Sequence, residues 1–187
     1  KGQIPTDSTQ IFIAAINEDS SLLNKTGLYI DSSSSLSISE VLQKTFSPLE
    51  SFKDRKRLLA GTLNYTFYLK IFLNNNTDKE ISAYLYPGSY YKQYEIYKIR
   101  EAAIKINNAD SISGYRKITL AAGEAGYILA QLKPLKVEFN HINPLLINDH
   151  YIKSYKRYIV GHKSDMQIYG LVLSGVLLMM ILFMFTN

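Results

Sequence analysis

The last 21 residues, Gln167–Asn187 (QIYGLVLSGVLLMMILFMFTN), carry no charged side chain. At about 1.5 Å of rise per residue, a helix of this length reaches roughly 30 Å, the thickness of a bilayer's hydrocarbon core. The four methionines, Met166, Met179, Met180 and Met184, lie in or beside it. The apolar core of a secretory signal is shorter, about 7–15 residues, and N-terminal. Residues 167–187 are therefore expected to form a transmembrane helix surrounded by lipid. Gly170 and Gly175 lack the spacing of a GxxxG pair and read as tolerated helix glycines.

Charge sharpens this boundary. The chain has 187 residues, with 21 Lys plus Arg against 16 Asp plus Glu, a formal charge of +5. Residues 151–163 hold Lys153, Lys156, Arg157 and Lys163 and no acid, so this short stretch supplies +4 and the other 174 residues supply +1. The excess is a juxtamembrane collar, joined by Tyr155, Tyr158 and Tyr169, and not a nucleic-acid-binding face. Positive flanks usually stay cytoplasmic, but that bias is weak for a long domain that translocates under its own signal. Composition alone leaves the orientation open. The chain starts at Lys1 and ends inside the apolar run, so it reads as a piece of a longer protein whose export signal has been removed. Cysteine is absent, which excludes a disulfide scaffold, a thiolate zinc site and a cysteine nucleophile.

The rest of the chain has the period of strands. Leu28–Ile30 reads as a short strand ended by Asp31 and the Ser32–Ser35 run. Ser37-Ile-Ser-Glu40 is a capping-box pattern, and Ile38, Val41, Leu42 and Phe46 follow at helical spacing, so a short helix is expected over 38–46. Tyr65, Phe67, Leu69, Ile71 and Leu73 alternate with Thr66, Tyr68, Lys70 and Phe72, a strand packed on both faces. Asn74–Asn76 lies in the following turn. Further strands are expected at Ile81–Leu85, stopped by Pro87-Gly88, and at Gln93–Ile99, Tyr115–Leu120, Gly126–Leu132 and Leu135–Phe139. Asn107–Gly114 reads as a loop, and Ala121–Gly126 as a hairpin connection. The expected fold is mainly β: a jelly-roll β-sandwich followed by one C-terminal transmembrane helix. The divisions are a lead-in strand or loop (1–21), the β domain (22–152), a basic juxtamembrane linker (153–166) and the membrane helix (167–187).

Catalytic and metal signatures do not emerge. His141, His150 and His162 have no metal-ligand spacing. The sequence has no Gly-x-Ser-x-Gly elbow, P-loop, dinucleotide-binding glycine turn or calcium loop. No catalytic residue, metal ligand or cofactor is assigned. Asn24, Asn64 and Asn75 open formal glycosylation sequons, which carry meaning only in a eukaryotic host.

Tyrosine is the unusual residue: there are 15, with no Trp. Six of them, Tyr84, Tyr86, Tyr90, Tyr91, Tyr94 and Tyr97, fall within fourteen residues around Pro87-Gly88. Tyr84 and Tyr86 share a strand face. Exposed tyrosines give rigid amphipathic area that suits a sugar, a peptide or a partner protein. Tyr84, Tyr86, Tyr90 and Tyr91 are therefore the candidate ligand-binding residues; the alternative is that they pack the sandwich.

A sequence of motifs carries a family likeness. It runs Leu28-Tyr-Ile-Asp31, Leu36-Ser-Ile-Ser-Glu-Val41, Phe46-Ser-Pro-Leu49, Tyr65-Thr-Phe-Tyr-Leu-Lys-Ile-Phe-Leu-Asn74, Leu85-Tyr-Pro87, Glu95-Ile-Tyr97 and Ile168-Tyr-Gly170-Leu-Val-Leu. This resembles the second class of extracellular sensor domain found in bacterial seven-transmembrane receptors with diverse intracellular signalling modules, over residues 22–186. Where that family usually has a Trp in the long strand, this chain has Phe67 or Tyr68. The resemblance implies a jelly roll similar to carbohydrate-binding modules, held outside the cytoplasm at the inner (cytoplasmic) membrane. It also implies a small ligand, carbohydrate included, six further membrane helices and a cytoplasmic output module. The expected function is a non-catalytic, extracytoplasmic ligand-sensing domain with the first membrane helix of a receptor. A single-pass anchored adhesion or structural protein, and a membrane-tethered hydrolase on a jelly roll, are the competing readings.

Overall fold

Phe67, Leu69, Ile71 and Leu73 point to one side of a single strand and are all buried. That strand is β5 (Thr66–Asn74), and its alternation places Tyr68, Lys70 and Phe72 on the opposite side. The computed structural model describes residues 10–52, 63–106, 114–135 and 142–186. The expected loop at 107–113, the segment 136–139 of an expected strand, and His141 lie outside the described residues. The chain divides into two units, residues 1–149 and 150–187.

The first unit holds two sheets. In the larger, the order is β4 (Ser47–Pro48), β3 (Thr26–Asp31), β5, β10 (Ala125–Pro134), β7 (Tyr91–Ile99) and β8 (Ala103–Lys105). A two-residue strand, β1 (Ile11–Phe12), pairs parallel to β5 at Leu73 and Asn74, where β3 no longer covers that edge. The smaller sheet is β2 (Asp19–Ser21), β11 (Ile142–Asn148), β6 (Ile81–Gly88) and β9 (Arg116–Leu120). Apart from β1 with β5, the pairs are antiparallel. One buried core joins the inner faces: Phe67, Ile96 and Ile128 from the larger sheet meet Leu85, Ile118 and Leu146 from the smaller. At about 25 cal/mol per Å² of apolar surface removed from water, this shared core is the main term holding the sheets together.

A second, smaller cluster sits on the outer face of the larger sheet, where Val41 covers Tyr68 and Leu129. Val41 belongs to α1 (Ile38–Leu42), whose start has the capping box expected from Ser37 and Glu40. The helix stops at the Gln43 C-cap, short of Phe46. Phe46 instead leans over Gly27, where an added Cβ would lie 2.9 Å from the Phe46 Cβ.

Several expectations are revised. Pro87-Gly88 does not stop β6, which runs to Gly88. Beyond Leu85 the strand has lost β9 as a neighbour and pairs with β11 alone, so a residue without an N–H is tolerated on the open side. The turn 121–124 is not a hairpin connection, because β9 and β10 belong to different sheets and the chain crosses between them. Leu135 is a bend just past β10, and the rest of the strand expected there lies outside the described residues. Within the lead-in, expected as strand or loop, β1 joins one sheet and β2 the other. The sequence pattern does not reveal β11: Pro144 interrupts its alternation, and the pairing with β6 is irregular between Ile142 and Leu145.

The second unit is helical. α2 runs from Ile152 to Thr186, so the basic stretch 153–166 is the first part of the same helix that continues through the apolar run. Gln167–Phe185 has a mean hydropathy of 2.5, none of it is buried, and it is long and apolar enough to cross a membrane. The Ser174 hydroxyl donates back to the Gly170 carbonyl at 2.8 Å, which satisfies a polar group that lipid would leave unpaired.

Candidate functional site

The structure distributes the crowded tyrosines over different surfaces. Tyr84 and Tyr86 do share a face of β6, opposite Ala83 and Leu85, which lie in the core. Tyr84 is only 7% exposed, with the Lys117 ammonium 5.9 Å from its ring. The Tyr86 ring stacks on Tyr115 at 4.8 Å. Tyr91 packs against the shared core and donates its hydroxyl to the Pro87 carbonyl at 3.0 Å. Burial pushes its phenol far up. Tyr94 is similar: its hydroxyl donates to the Leu85 carbonyl, and the Arg116 guanidinium lies 5.0 Å from its ring. Tyr90 is different, being 50% exposed with φ at +65°. The four candidate residues thus fall into a pair on the outer face of the small sheet (Tyr84, Tyr86), a partly buried residue packed against the core (Tyr91) and an exposed turn residue (Tyr90).

A polar chain crosses the outer face of the large sheet. Tyr68, Gln131, Tyr97 and Glu95 are neighbours there on β5, β10 and β7. The Tyr97 hydroxyl lies 2.7 Å from Glu95 Oε2 and 3.2 Å from the Gln131 side chain. Its one proton goes to the carboxylate, which is nearer and charged. Gln131 Nε2 in turn donates to the Tyr68 hydroxyl, 3.3 Å away, while its Oε1 faces the Tyr97 hydroxyl. Glu95 also receives Lys105 Nζ at 2.8 Å and Gln93 Nε2 at 3.1 Å. Lys105 first, then Tyr97, hold the Glu95 carboxyl down at about 2. Burial and the bond to Glu95 push the Tyr97 phenol up to about 12.

Two clefts open at the margins of the sheets. One, of about 780 Å³, lies beside the β7–β8 turn and is lined by Arg100, Glu101, Ile104 and Glu124. Its floor is a structural knot. Glu124 accepts from Lys98 Nζ and from the Ala121 N–H, both at 2.8 Å, and from Arg100. Burial raises the Glu124 carboxyl, but these donors outweigh it and hold it at about 2. With its oxygens committed, Glu124 is not available as an acid, base or ligand group.

The other cleft, of about 550 Å³, lies where the chain leaves β1 and enters β2. That is within the size range of small-molecule sites. Ile11 and Ile16 form an apolar floor, Phe12 (37% exposed) forms one wall, and Asn17, Glu18, Asp19, Ser20 and Lys25 form the polar rim. Lys25 donates to the Gln10 carbonyl at 3.3 Å. The Asn148 side chain donates to the Ile16 carbonyl and its backbone N–H to the Glu18 carbonyl, both at 2.8 Å. The last residue of β11 thus holds the polar wall at two points. Residues 11–25 carry no strand period long enough to be read from sequence, so no local pattern announces this cleft.

Among the described residues, no group of three His, Asp or Glu side chains is placed to hold a metal ion. Asn75 is fully buried: its Nδ2 donates to the carbonyls of Lys79, Leu120 and Ala121, so this sequon asparagine is a structural staple. No protein-family model matches the chain, and no curated protein matches it significantly.

Proposed function

We propose that this chain is a non-catalytic ligand-sensing domain tethered to a membrane helix, of the kind found outside the cytoplasm in bacterial transmembrane receptors. One observation carries the reading. β11 is an inner strand of the small sheet, and only residues 149–151 separate it from α2. A ligand that favours one position of β11 bears on the strand from which the chain passes, over residues 149–151, into α2. Such a receptor works by population shift, and its ligand must bind one arrangement better than the other. The finer architecture fits a jelly roll, since the chain crosses between the sheets at β1–β2, β2–β3, β5–β6, β6–β7, β8–β9, β9–β10 and β10–β11. A carbohydrate-type ligand, further membrane helices and a cytoplasmic output module complete the reading.

Topology is the direct test. The chain has no cysteine, so Asp78→Cys, in an exposed turn, introduces a single thiol. Labelling by a membrane-impermeant sulfonated maleimide in intact cells is the expected result. Labelling only after the inner membrane is broken would place the β domain in the cytoplasm and end the proposal.

A further inference from the structure

Lys70 is a cation that the fold leaves without a counter-ion. It lies at the middle of β5 on the outer face of the large sheet, directly opposite Gly27 of β3 and Leu129 of β10. Gly27 has no side chain to fill its side of the lysine. Phe46 leans into that space, its ring centre 5.3 Å from Lys70 Nζ. On the β10 side, the Tyr127 ring centre lies 4.3 Å from Nζ. Phe72, two residues along β5 on the same face, pairs with Tyr127 and meets its ring edge to face at 4.9 Å. The ammonium thus sits between aromatic rings, and Lys70, Phe46, Phe72 and Tyr127 are all half-buried.

Among the described residues, Lys70 makes no ion pair and no hydrogen bond. Three other strand lysines, Lys98, Lys105 and Lys117, each reach a carboxylate. The acids on the elements around Lys70 are committed elsewhere: Asp31 of β3 to Ser33 and Leu36, Glu40 of α1 to Ser37, and Glu95 of β7 to Lys105 and Tyr97. Burial lowers the pKa of the Lys70 amine, with no acid to offset it. The aromatic faces attract the charge without neutralising it. An anion that neutralises this ammonium comes to lie against the rings around it, so its body must be apolar and is best flat. We infer that Lys70 binds the carboxylate of a small aromatic acid, whose ring packs against Phe46, Phe72 and Tyr127. The inference does not rest on the sensing reading: the site is the same whichever side of a membrane the β domain occupies.

The probe is para-fluorobenzoate, followed by fluorine NMR with the detergent-solubilised full chain at about pH 7, where the acid is ionised. Saturable broadening of the fluorine line is expected, and benzoate should displace the probe. Benzamide, which lacks the charge, and acetate, which lacks the ring, should each compete about ten-fold less well. Lys70→Met keeps the apolar stem and should abolish the saturable binding, leaving only uptake into detergent. Lys70→Arg keeps the charge and should retain it. Tyr127→Leu should bring the affinity for benzoate down towards that for acetate. Absence of saturation, benzamide competing as well as benzoate, or saturable binding that persists in Lys70→Met would each overturn the proposal. The comparison of benzoate with benzamide is made on the unaltered chain, so it decides the matter even where a variant does not fold.

Discussion

Tyr90 shows how a single residue can work against its own backbone. With φ at +65° it occupies the left-handed region, which costs a residue with a Cβ about 1–2 kcal/mol. Glycine removes that strain and gives back about 0.5–1 kcal/mol in lost chain entropy. Tyr90→Gly is therefore expected to raise stability by roughly 0.5–1 kcal/mol, seen as a higher denaturation midpoint. An unchanged or lower midpoint would mean that the tyrosine ring stabilises the turn by more than the strain costs. Asn75 shows the opposite balance. It reads in sequence as part of a polar turn, yet it is fully buried and its side chain ties the β5–β6 turn to the β9–β10 crossing. The alternation in β5 and the Ser37–Glu40 capping box are legible because both depend on neighbours two to four residues away. The burial of Asn75 depends on Leu120 and Ala121, 45 and 46 residues distant, and no local pattern records that.

At the scale of elements, charged side chains tie strands together where backbone pairing ends. Lys98 on β7 donates to the Thr119 carbonyl on β9 and to Glu124, and so bridges the two sheets at one margin. Lys105 on β8 pairs with Glu95 on β7. Both carboxyls are held at about 2, below the ordinary 4.5 of a glutamate. Their stabilisation is complete above about pH 4.5 and is lost as pH falls from there towards 2. A tenfold difference in proton affinity between the folded and unfolded chain corresponds to about 1.4 kcal/mol. The domain should accordingly lose stability steeply between about pH 4.5 and 2, and the loss should be smaller in Glu124→Gln. The comparison to make is melting temperature against pH for the two proteins; parallel curves would show that Glu124 contributes nothing to the acid limb. Elements that the sequence hides share a cause. β1 and β2 have two and three residues, too few for a period to show, and β11 contains Pro144. Pro144 is accommodated because the pairing of β11 with β6 is irregular there and its carbonyl accepts the Leu22 N–H at 2.9 Å.

At the scale of the whole molecule, two solvents set the requirements. The β domain hides its apolar side chains in one core between sheets, whereas Gln167–Phe185 exposes them all round. A helix that is apolar on every side, unburied and of this length could anchor the chain in a membrane. Leu177→Lys puts a charge near the middle of the apolar run, at a cost to insertion of about 2.5–3.5 kcal/mol. The variant should move from the carbonate-resistant membrane fraction towards the soluble fraction, while Ser174→Ala should not. If Leu177→Lys stays fully membrane-bound, the apolar run is not what anchors the chain.

Some properties of this protein follow from the order of residues alone. A charge-free run of 21 residues, a strand with a two-residue period and a capped short helix are local patterns, and the physics that produces them acts over a few residues. Membrane-helix candidacy, the mainly β class and the position of α1 are for that reason readable. Which strands pair, that the 121–124 turn crosses sheets, that Tyr91 packs against the core while Tyr90 stays outside, and that residues 11–25 frame a cleft were decided by tertiary structure. Those outcomes depend on contacts between segments far apart in the chain, where the burial of one strand's apolar face is settled by the strand that comes to cover it.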